Sequence, residues 1–200
     1  MGSSRQFFNA VTGMEDSQGK SRNGEQTLPT VVGAPIHDGH DQMTSVKLWQ
    51  NPCWFTYRLN YLALRYNGPL YAWVEEHYGL SRPEFVVIFS LGLMDGAYAR
   101  DIGASSGFPQ NTLSRAIHKL TQTGLISREP DQQDGRRYIV SLTRDGRDLF
   151  NEALPKFVSF EKMMLDSLSD SEQQTLSHLM AKMVLASPQW PKSISEKADA

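Results

Sequence analysis

The recurrence of apolar residues along the chain predicts a mainly helical protein. Between residues 48 and 78, aromatic and aliphatic residues cover more than one helical face, and Gly68-Pro69 interrupts the run, so we expect one long kinked helix or two helices. A helix with so much apolar surface needs several neighbours, and a second copy of a chain this small is the simplest one. Ser81-Arg82-Pro83-Glu84 then has the residues of a capped helix N-terminus and opens an apolar helix ending near Leu93.

Two further helices with a break between them come next. Residues 97–105 have the apolar spacing of a short helix, and Ser106-Gly107-Phe108-Pro109 ends it. A second helix is predicted from residue 109 to residue 124, where Gly124 supplies the stop. Its apolar residues recur at three- and four-residue spacing and predict one buried face: Leu113, Ala116, Ile117 and Leu120.

The last third of the chain predicts a hairpin followed by two helices. Residues 125–128 and 137–142 have strand composition and flank a polar loop that contains Asp-Gly. A helix begins at Thr143-Arg144 and is interrupted or bent at Pro155, and the capping residues Ser169 to Glu172 open a final amphipathic helix. The order helix, turn, helix, hairpin, helix is that of a winged helix-turn-helix. The predicted fold class is therefore mainly α with a small β-hairpin wing and a helical dimerisation region.

Composition divides the chain into three parts. Residues 1–44 are rich in small and polar residues and predict a flexible tail, with a short arm that orders on a partner subunit as the alternative. Residues 45–187 form the predicted domain. Residues 188–200 form a C-terminal tail. The net charge of −2 excludes indiscriminate binding to polyanions, so contact with nucleic acid requires a local basic surface.

That surface is predicted on the second helix of the helix-turn-helix and on the wing. The exposed face of the helix contains donors and no acid: Gln110, Asn111, Thr112, Ser114, Arg115, His118 and Lys119. Arg136 and Arg137 lie at the tip of the wing, where a narrow minor groove attracts arginine. Asp134 is expected to brace the guanidinium of Arg136. Each feature by itself is more typical of a solvated surface helix or an ordinary turn, and their ordered combination favours DNA binding.

One stretch carries a family resemblance. Residues 124–146 read GLISREPDQQDGRRYIVSLTRDG and closely resemble the wing of the MarR family of bacterial transcription regulators, and a weaker resemblance extends over about residues 48–187. The resemblance implies a homodimer on double-stranded, pseudo-palindromic operator DNA, with dimerisation helices at about 48–78 and 145–187 and a DNA-binding lobe at about 81–144. It also implies that Asp134 and Arg136 are the wing's Asp-x-Arg pair. It also implies a repressor that a small phenolic or aromatic ligand releases from DNA.

The ligand is less well specified by the sequence. Five residues of the first helical segment have the chemistry to hold an aromatic carboxylate, with ordinary dimer packing as the alternative: Arg58, Arg65, Tyr66, Trp73 and His77. Cys53 resembles the reactive cysteine of the family's peroxide-sensing branch, so a redox-sensing repressor is an alternative function; inert packing is the other interpretation of this thiol.

Other functional classes find less support. A winged-helix protein-interaction module would be expected to carry acids on the recognition face, which has none. No catalytic motif is present, so we expect neither an enzyme nor a cofactor or metal. No apolar run approaches the ~20 residues of a membrane span, and no secretory signal is found, so we expect a cytoplasmic protein without a membrane partner.

Overall fold

The computed structural model describes residues 41–191 and 193, and the chain divides into two compact units, Met1–Leu70 and Tyr71–Ala200. Residues 1–40 of the predicted N-terminal tail lie outside the described residues. So do residue 192 and residues 194–200 of the predicted C-terminal tail. The boundaries proposed from composition therefore stay predictions.

The first unit contains helix α1 (Gln42–Trp49) and the beginning of helix α2 (Trp54–Tyr78). Asp41 caps α1, because its side chain accepts the N–H of Thr44 at 3.0 Å. Hydrogen bonds from the side chain and the backbone of Thr44 lower the pKa of Asp41 below its ordinary value. The sequence did not predict a helix before residue 48, because α1 has no sustained apolar period.

Helix α2 continues through the expected interruption at Gly68-Pro69. A proline inside a helix removes one backbone hydrogen bond and costs about 3 kcal/mol. Leu70 and Val74 are buried on the C-terminal side of the proline, and burial of such apolar side chains, at about 1.5–3 kcal/mol each, offsets that cost. The helix therefore persists as one element, so the alternative of two helices separated at Gly68-Pro69 is wrong, and the kink stays a prediction.

The second unit contains the remaining elements. Its helices are α3 (Arg82–Leu93), α4 (Ala99–Ser106), α5 (Gln110–Gln122), α6 (Arg144–Leu165) and α7 (Asp170–Ala186), followed by a 3₁₀ turn at Ser187–Gln189. Its strands are β1 (Ala97–Tyr98), β2 (Ile126–Pro130) and β3 (Tyr138–Leu142). The winged helix-turn-helix order predicted from the sequence is confirmed. As at Gly68-Pro69, helix α6 continues through Pro155 where an interruption or bend was expected.

The three strands form one antiparallel sheet in the order β1-β3-β2. Ala97 pairs with Val140 and Tyr98 with Ile139, so β1 adds an edge to the hairpin. The sequence prediction that residues 97 and 98 are helical is therefore wrong. A two-residue strand has no period of its own, and it exists only because β3, about 40 residues later, offers it a free edge.

Aromatic rings fill the core beside α3. The rings of Phe85 and Phe157 stack with centroids 4.9 Å apart, and Tyr71 contacts both edge-on. Phe89 bridges to Phe150 on α6 at 5.7 Å. Phe150 and Phe157 lie on either side of Pro155 and are both buried, so this packing holds α6 together across the proline.

An ionic contact joins the end of α3 to the sheet and to α6. Oδ1 of Asp95 accepts the N–H of Leu142 at 2.9 Å, and Oδ2 of Asp95 accepts from Nη2 of Arg147 at 2.8 Å. Nη1 of Arg147 also donates to the carbonyl of Gly92 at 2.9 Å. The hairpin is thereby fixed to the helical part of the second unit at its base, which leaves the far end of the hairpin as the projecting wing.

Candidate nucleic-acid interface

Helix α5 has one face in the core and the other in solvent, as its sequence period predicts. Leu113 and Leu120 are fully buried, and Ala116 and Ile117 almost so. Of the residues predicted to contact DNA, Thr112 is half-buried and the others are exposed: Gln110, Asn111, Ser114, Arg115, His118 and Lys119. Since the exposed face carries no carboxylate, it can approach a phosphate strand without repulsion.

A glycine lets α5 pack closely on α4. A Cβ atom on Gly103 would lie 2.3 Å from Oε1 of Gln110, so a larger residue would displace this side chain. Oγ of Ser114 donates to the carbonyl of Gln110 at 2.9 Å, which turns the hydroxyl back onto its own helix. The Gln110 amide therefore lies at the contact between the two helices of the helix-turn-helix.

Lys119 forms an ion pair with Glu84 of α3. Its Nζ lies 2.9 Å from Oε1 and 3.0 Å from Oε2 of Glu84, and Oε2 also accepts the N–H of Ser81 at 2.9 Å. Burial raises the pKa of Glu84, but the hydrogen bonds from Lys119 and Ser81 outweigh this and lower the pKa below its ordinary value. The ammonium group predicted to contact DNA thus also has a partner within its own lobe, and its contact with DNA stays a prediction.

The wing, residues 131–137, is closed by its own backbone. The N–H of Asp131 donates to the carbonyl of Arg137 at 2.9 Å, and the N–H of Arg137 donates to the carbonyl of Asp134 at 2.8 Å. Oδ1 of Asp134 accepts the N–H of Arg136 at 3.2 Å, while Oδ2 lies 3.1 Å from Nε of Arg137. The carboxylate therefore holds the wing from inside the turn.

This arrangement corrects one detail of the sequence prediction. Asp134 was expected to brace the guanidinium of Arg136, and its ion pair is with Arg137 instead. The tight turn places the side chain at i+3 beside the carboxylate and only the backbone N–H at i+2. Within the described residues, no carboxylate lies within 4 Å of the Arg136 guanidinium, which leaves this exposed arginine available to a phosphate or a groove.

A tyrosine on β1 ties the wing to the sheet. The hydroxyl of Tyr98 donates a short hydrogen bond to Oδ2 of Asp131, and the guanidinium of Arg137 lies 5.8 Å from the centre of the Tyr98 ring. The hydrogen bond raises the pKa of Tyr98 and lowers the pKa of Asp131, because it favours the neutral phenol and the ionised carboxylate. The wing is thus anchored at both of its ends.

Several of the side chains predicted to hold an aromatic ligand contact neighbouring residues of the same chain segment. Nη2 of Arg58 donates to the carbonyl of Leu48 at 2.7 Å, and its guanidinium lies 5.4 Å from the Trp49 ring centre and 4.9 Å from that of Trp54. The guanidinium of Arg65 lies 5.9 Å from the ring centre of Tyr61. These two arginines and Tyr66 belong to the first unit.

The other two predicted ligand residues belong to the second unit. The rings of Trp73 and His77 lie 4.6 Å apart, and Nδ1 of His77 lies 2.9 Å from the Trp73 carbonyl. The five residues therefore stay a prediction. Cys53 is exposed and immediately precedes α2, with its N–H donated to Oδ1 of Asn51 at 2.8 Å, and its reactivity stays a prediction as well.

Sequence reasoning missed four residues that shape this surface: Glu84 as the partner of Lys119, Tyr98, Asp131 and Arg128. The guanidinium of Arg128 lies 4.8 Å from the ring centre of Tyr138 across the hairpin. The pairing of Pro130 with Tyr138 and of Arg128 with Val140 brings these side chains to one face. Only the register of strands β2 and β3 could have predicted this contact, and that register depends on the number of residues assigned to the hairpin loop.

Two negative observations apply to the described part of the chain. None of its helices is both long and apolar enough to cross a membrane. It also holds no group of three or more His, Cys, Asp or Glu side chains arranged to bind a metal ion.

Comparison with known proteins points to one family. The sequence model of the MarR family matches residues 78–137, which include α3, α4, α5 and the wing. The HTH-type transcriptional regulator BilQ of Clostridium symbiosum is 28% identical over 105 residues, covering 52% of this chain and 73% of that protein.

Solved structures agree with the family match. A MarR-family transcriptional regulator from Silicibacter pomeroyi superimposes with a TM-score of 0.62 at 27% identity, covering 78% of this chain and 99% of that one. The S. aureus MepR–DNA complex superimposes with a TM-score of 0.59 at 22% identity, covering 66% and 97%. These matches confirm the winged fold, and the proteins they find are transcriptional regulators rather than enzymes.

Proposed function

We propose that this chain is a DNA-binding transcriptional regulator of the MarR family, to which its sequence and fold are similar, and that it acts as a homodimeric repressor released from DNA by a small aromatic or phenolic ligand. Two recognition helices α5 enter successive major grooves on one face of the duplex, about one helical turn apart. Each wing enters the flanking minor groove with Arg136. One observation carries the proposal: an acid-free exposed helix face and an arginine-bearing wing belong to the same lobe.

The residue roles follow from what each side chain reaches. Asn111, Ser114, Arg115 and His118 are exposed on α5 and have the donors and acceptors that read base edges in the major groove. Arg136 has no carboxylate partner among the described residues and takes the minor groove. Asp134 holds the turn that presents it, through Arg137 and the Arg136 N–H. Lys119 contacts a phosphate at the edge of the interface while paired with Glu84.

The apolar surface of the last helices supports the homodimer. Helix α7 has no buried residue, yet its apolar side chains recur at three- and four-residue spacing and are exposed: Leu176, Leu179, Met180 and Val184. The C-terminal half of α6 exposes Val158, Met163 and Met164 in the same way. An apolar surface of this extent is typical of a subunit interface. We propose that helices at about 48–78 and 145–187 form the dimerisation region.

A fluorescence-anisotropy titration tests the proposal. The protein is titrated against duplex DNA from the region upstream of its own gene and against a scrambled duplex, at several salt concentrations. We expect tight, sequence-selective binding that weakens with salt as counterions are released. Arg136→Ala should weaken it by at least about tenfold, because a charge-assisted contact is lost.

A matched control distinguishes a specific contact of the wing arginine from the general effect of removing one positive charge. Arg144 is an exposed arginine on α6 whose Nε lies 3.9 Å from Oδ2 of Asp148, so Arg144→Ala removes the same charge away from the wing and should bind normally. Equal, weak binding of wild type to both duplexes contradicts the regulator proposal. With binding established, release by aromatic acids such as benzoate or salicylate tests the ligand.

A further inference from the structure

A cleft of about 300 Å³ lies at the root of the wing, beneath the hairpin and beside the first turn of α4. Its lining contains four arginines and two tyrosines that the proposed DNA contacts use only in part: Arg100, Arg128, Arg136, Arg137, Tyr98 and Tyr138. Val140 forms part of its inner wall and is fully buried. No acidic side chain lines the cleft.

The strand register explains why the cleft is basic. Arg128 is opposite Val140, and Tyr138 is opposite Pro130, so Arg128 and Tyr138 share the face of the hairpin on which Val140 is buried. Glu129 is opposite Ile139, and because successive side chains alternate, its carboxylate belongs to the other face. The two strands therefore place their one acid, Glu129, and their one arginine, Arg128, on opposite faces.

Two of the four guanidinium groups are left without ionic partners. Arg100 lies 3.3 Å from Asp101, and Arg137 lies 3.1 Å from Asp134. Within the described part of the chain, no carboxylate comes within 4 Å of Arg128 or Arg136. The Arg128 guanidinium instead lies over the Tyr138 ring at 4.8 Å, which orients its planar donors without neutralising its charge. A cleft with two unneutralised guanidinium groups attracts an oxyanion.

We propose that this cleft binds a phosphate of the DNA backbone, so that the root of the wing contacts DNA as well as its tip. The inference rests on the proposed function. If α5 occupies a major groove and the wing tip the adjacent minor groove, the phosphate strand that separates those grooves runs past the surface between them. The cleft belongs to that surface, since it is lined by the wing and by the start of α4, the helix on which α5 packs.

Arg128 and Arg100 are the residues that this inference adds to the interface. A guanidinium group binds a phosphodiester through two parallel N–H donors, and Arg128 has those donors free in the structure. A water molecule occupies about 30 Å³ of liquid, so the cleft has room for a phosphodiester together with bridging waters. A backbone contact carries no sequence information and acts equally on every duplex.

The salt dependence of binding provides the test. Four proteins are titrated with the upstream and the scrambled duplex over a range of NaCl concentrations: wild type, Arg128→Gln, Arg100→Gln and the control Arg144→Gln. One lost phosphate contact should make the slope of log K against log salt less negative by about 0.9. We expect this change for Arg128→Gln, with affinity weakened on the order of tenfold on both duplexes and their ratio unchanged. Arg144→Gln should match wild type.

Arg100→Gln keeps the test independent of any loss of stability in Arg128→Gln. The Arg100 side chain is 77% exposed, and among the described residues its polar partner is the neighbouring Asp101, so its removal leaves the hairpin intact. Far-ultraviolet circular dichroism and sedimentation verify that both variants keep the fold and the oligomeric state of wild type. A shift in slope for both variants supports the inference.

Failure of this inference is distinguishable from failure of the proposed function. If wild type binds the upstream duplex selectively while Arg128→Gln and Arg100→Gln keep the wild-type slope, the regulator stands and the phosphate site is overturned. If wild type binds neither duplex, both fall. A third result would also overturn the inference. Sodium phosphate, compared with sodium chloride at equal ionic strength, would raise the melting temperature of wild type but not that of Arg128→Gln, while both cleft variants would keep the wild-type salt slope for DNA. The cleft would then hold a free anion.

Discussion

The ammonium group of Lys119 lies 2.9 Å from Oε1 of Glu84, although the two residues are 35 positions apart in the chain. Glu84 at the same time accepts the N–H of Ser81 and so completes the cap of α3. One buried carboxylate thus satisfies a helix N-terminus and fixes the C-terminal half of the recognition helix α5. The orientation of α5 depends on this contact as well as on its apolar face.

Glu84→Gln should lower the free energy of unfolding by about 1 kcal/mol at pH 7, because the ion pair is lost while the amide oxygen still accepts from Ser81. Solvent screens the pair, since the Lys119 side chain is 52% exposed, and this limits the effect. Urea unfolding measures it. Glu172→Gln is the matched control: Glu172 caps α7 in the same way through Ser169, but is exposed and has no lysine partner. A larger loss for the control would contradict the importance of the Lys119 contact.

The same pair predicts a dependence of stability on pH. The pKa of Glu84 is lower in the folded protein than in the unfolded chain, so its contribution is fully present above the ordinary glutamate range of about 4.3. It is lost as the pH falls through the folded pKa. The free energy of unfolding of wild type should therefore fall more steeply below about pH 4.3 than that of Glu84→Gln.

Local patterns predicted the parts of this fold that depend on neighbours in sequence. The capping box of Ser81 and Glu84 and the buried face of α5 at Leu113 and Leu120 were both visible as short-range spacing. The contact between Glu84 and Lys119 was not, because it forms only after α3 and α5 pack.

The sequence predicted the position of the wing correctly but assigned one of its contacts to the wrong residue. The Asp134 carboxylate was assigned to Arg136 on sequence spacing alone, and the turn geometry gives it to Arg137. Strand β1 was missed for a related reason: Ala97 and Tyr98 become a strand only by pairing with Val140 and Ile139. Side-chain partners in a hairpin depend on backbone register, and periodicity does not contain that information.

The substitution Asp134→Asn distinguishes two effects of the Asp134 carboxylate: it can hold the turn of the wing, or it can repel the phosphates of bound DNA. Removing an acid beside DNA strengthens binding if the carboxylate only repels phosphates. If it braces the wing through Arg137, as the 3.1 Å contact indicates, the loss of the ion pair loosens the turn and weakens binding about threefold to tenfold. Anisotropy titration with the upstream duplex decides between the two signs. Asp148→Asn, which breaks the exposed pair with Arg144 on α6, should leave the affinity unchanged.

Two helical glycines should respond to alanine to different extents. A Cβ on Gly146 would lie 2.1 Å from the carbonyl oxygen of Leu125, a backbone atom that cannot move without shifting the base of the hairpin. Gly146→Ala should therefore destabilise the protein by about 1–3 kcal/mol. At Gly68 a Cβ would meet no heavy atom of the described residues within 4 Å apart from its chain neighbours and its own helix backbone. The helix propensity that alanine adds there is opposed by Pro69, which disfavours the helical conformation of a residue that precedes it, so Gly68→Ala should change the stability by less than about 1 kcal/mol. Thermal and urea unfolding measure both, and an equal effect of the two substitutions would contradict the close approach at Gly146.

The exposed apolar stripe on α7 predicts that a single charged substitution within it disrupts the homodimer. Leu179 is 53% exposed in the chain by itself and lies beside Leu176 in a surface groove of α7. In the proposed homodimer this stripe is covered by a second copy, and a carboxylate there is buried without a partner, at a cost of several kcal/mol. Leu179→Glu should therefore convert the dimer to monomers in sedimentation velocity. It should also weaken DNA binding strongly, because one lobe by itself engages only one half-site.

Gln174→Glu provides the comparison, since it adds the same charge to an exposed position away from the stripe. This variant should remain dimeric and bind DNA as wild type does. A dimer that persists in Leu179→Glu with unchanged affinity for DNA would show that α7 lies outside the interface, and the exposed half of α6, with Val158 and Met163, would then be the next surface to substitute.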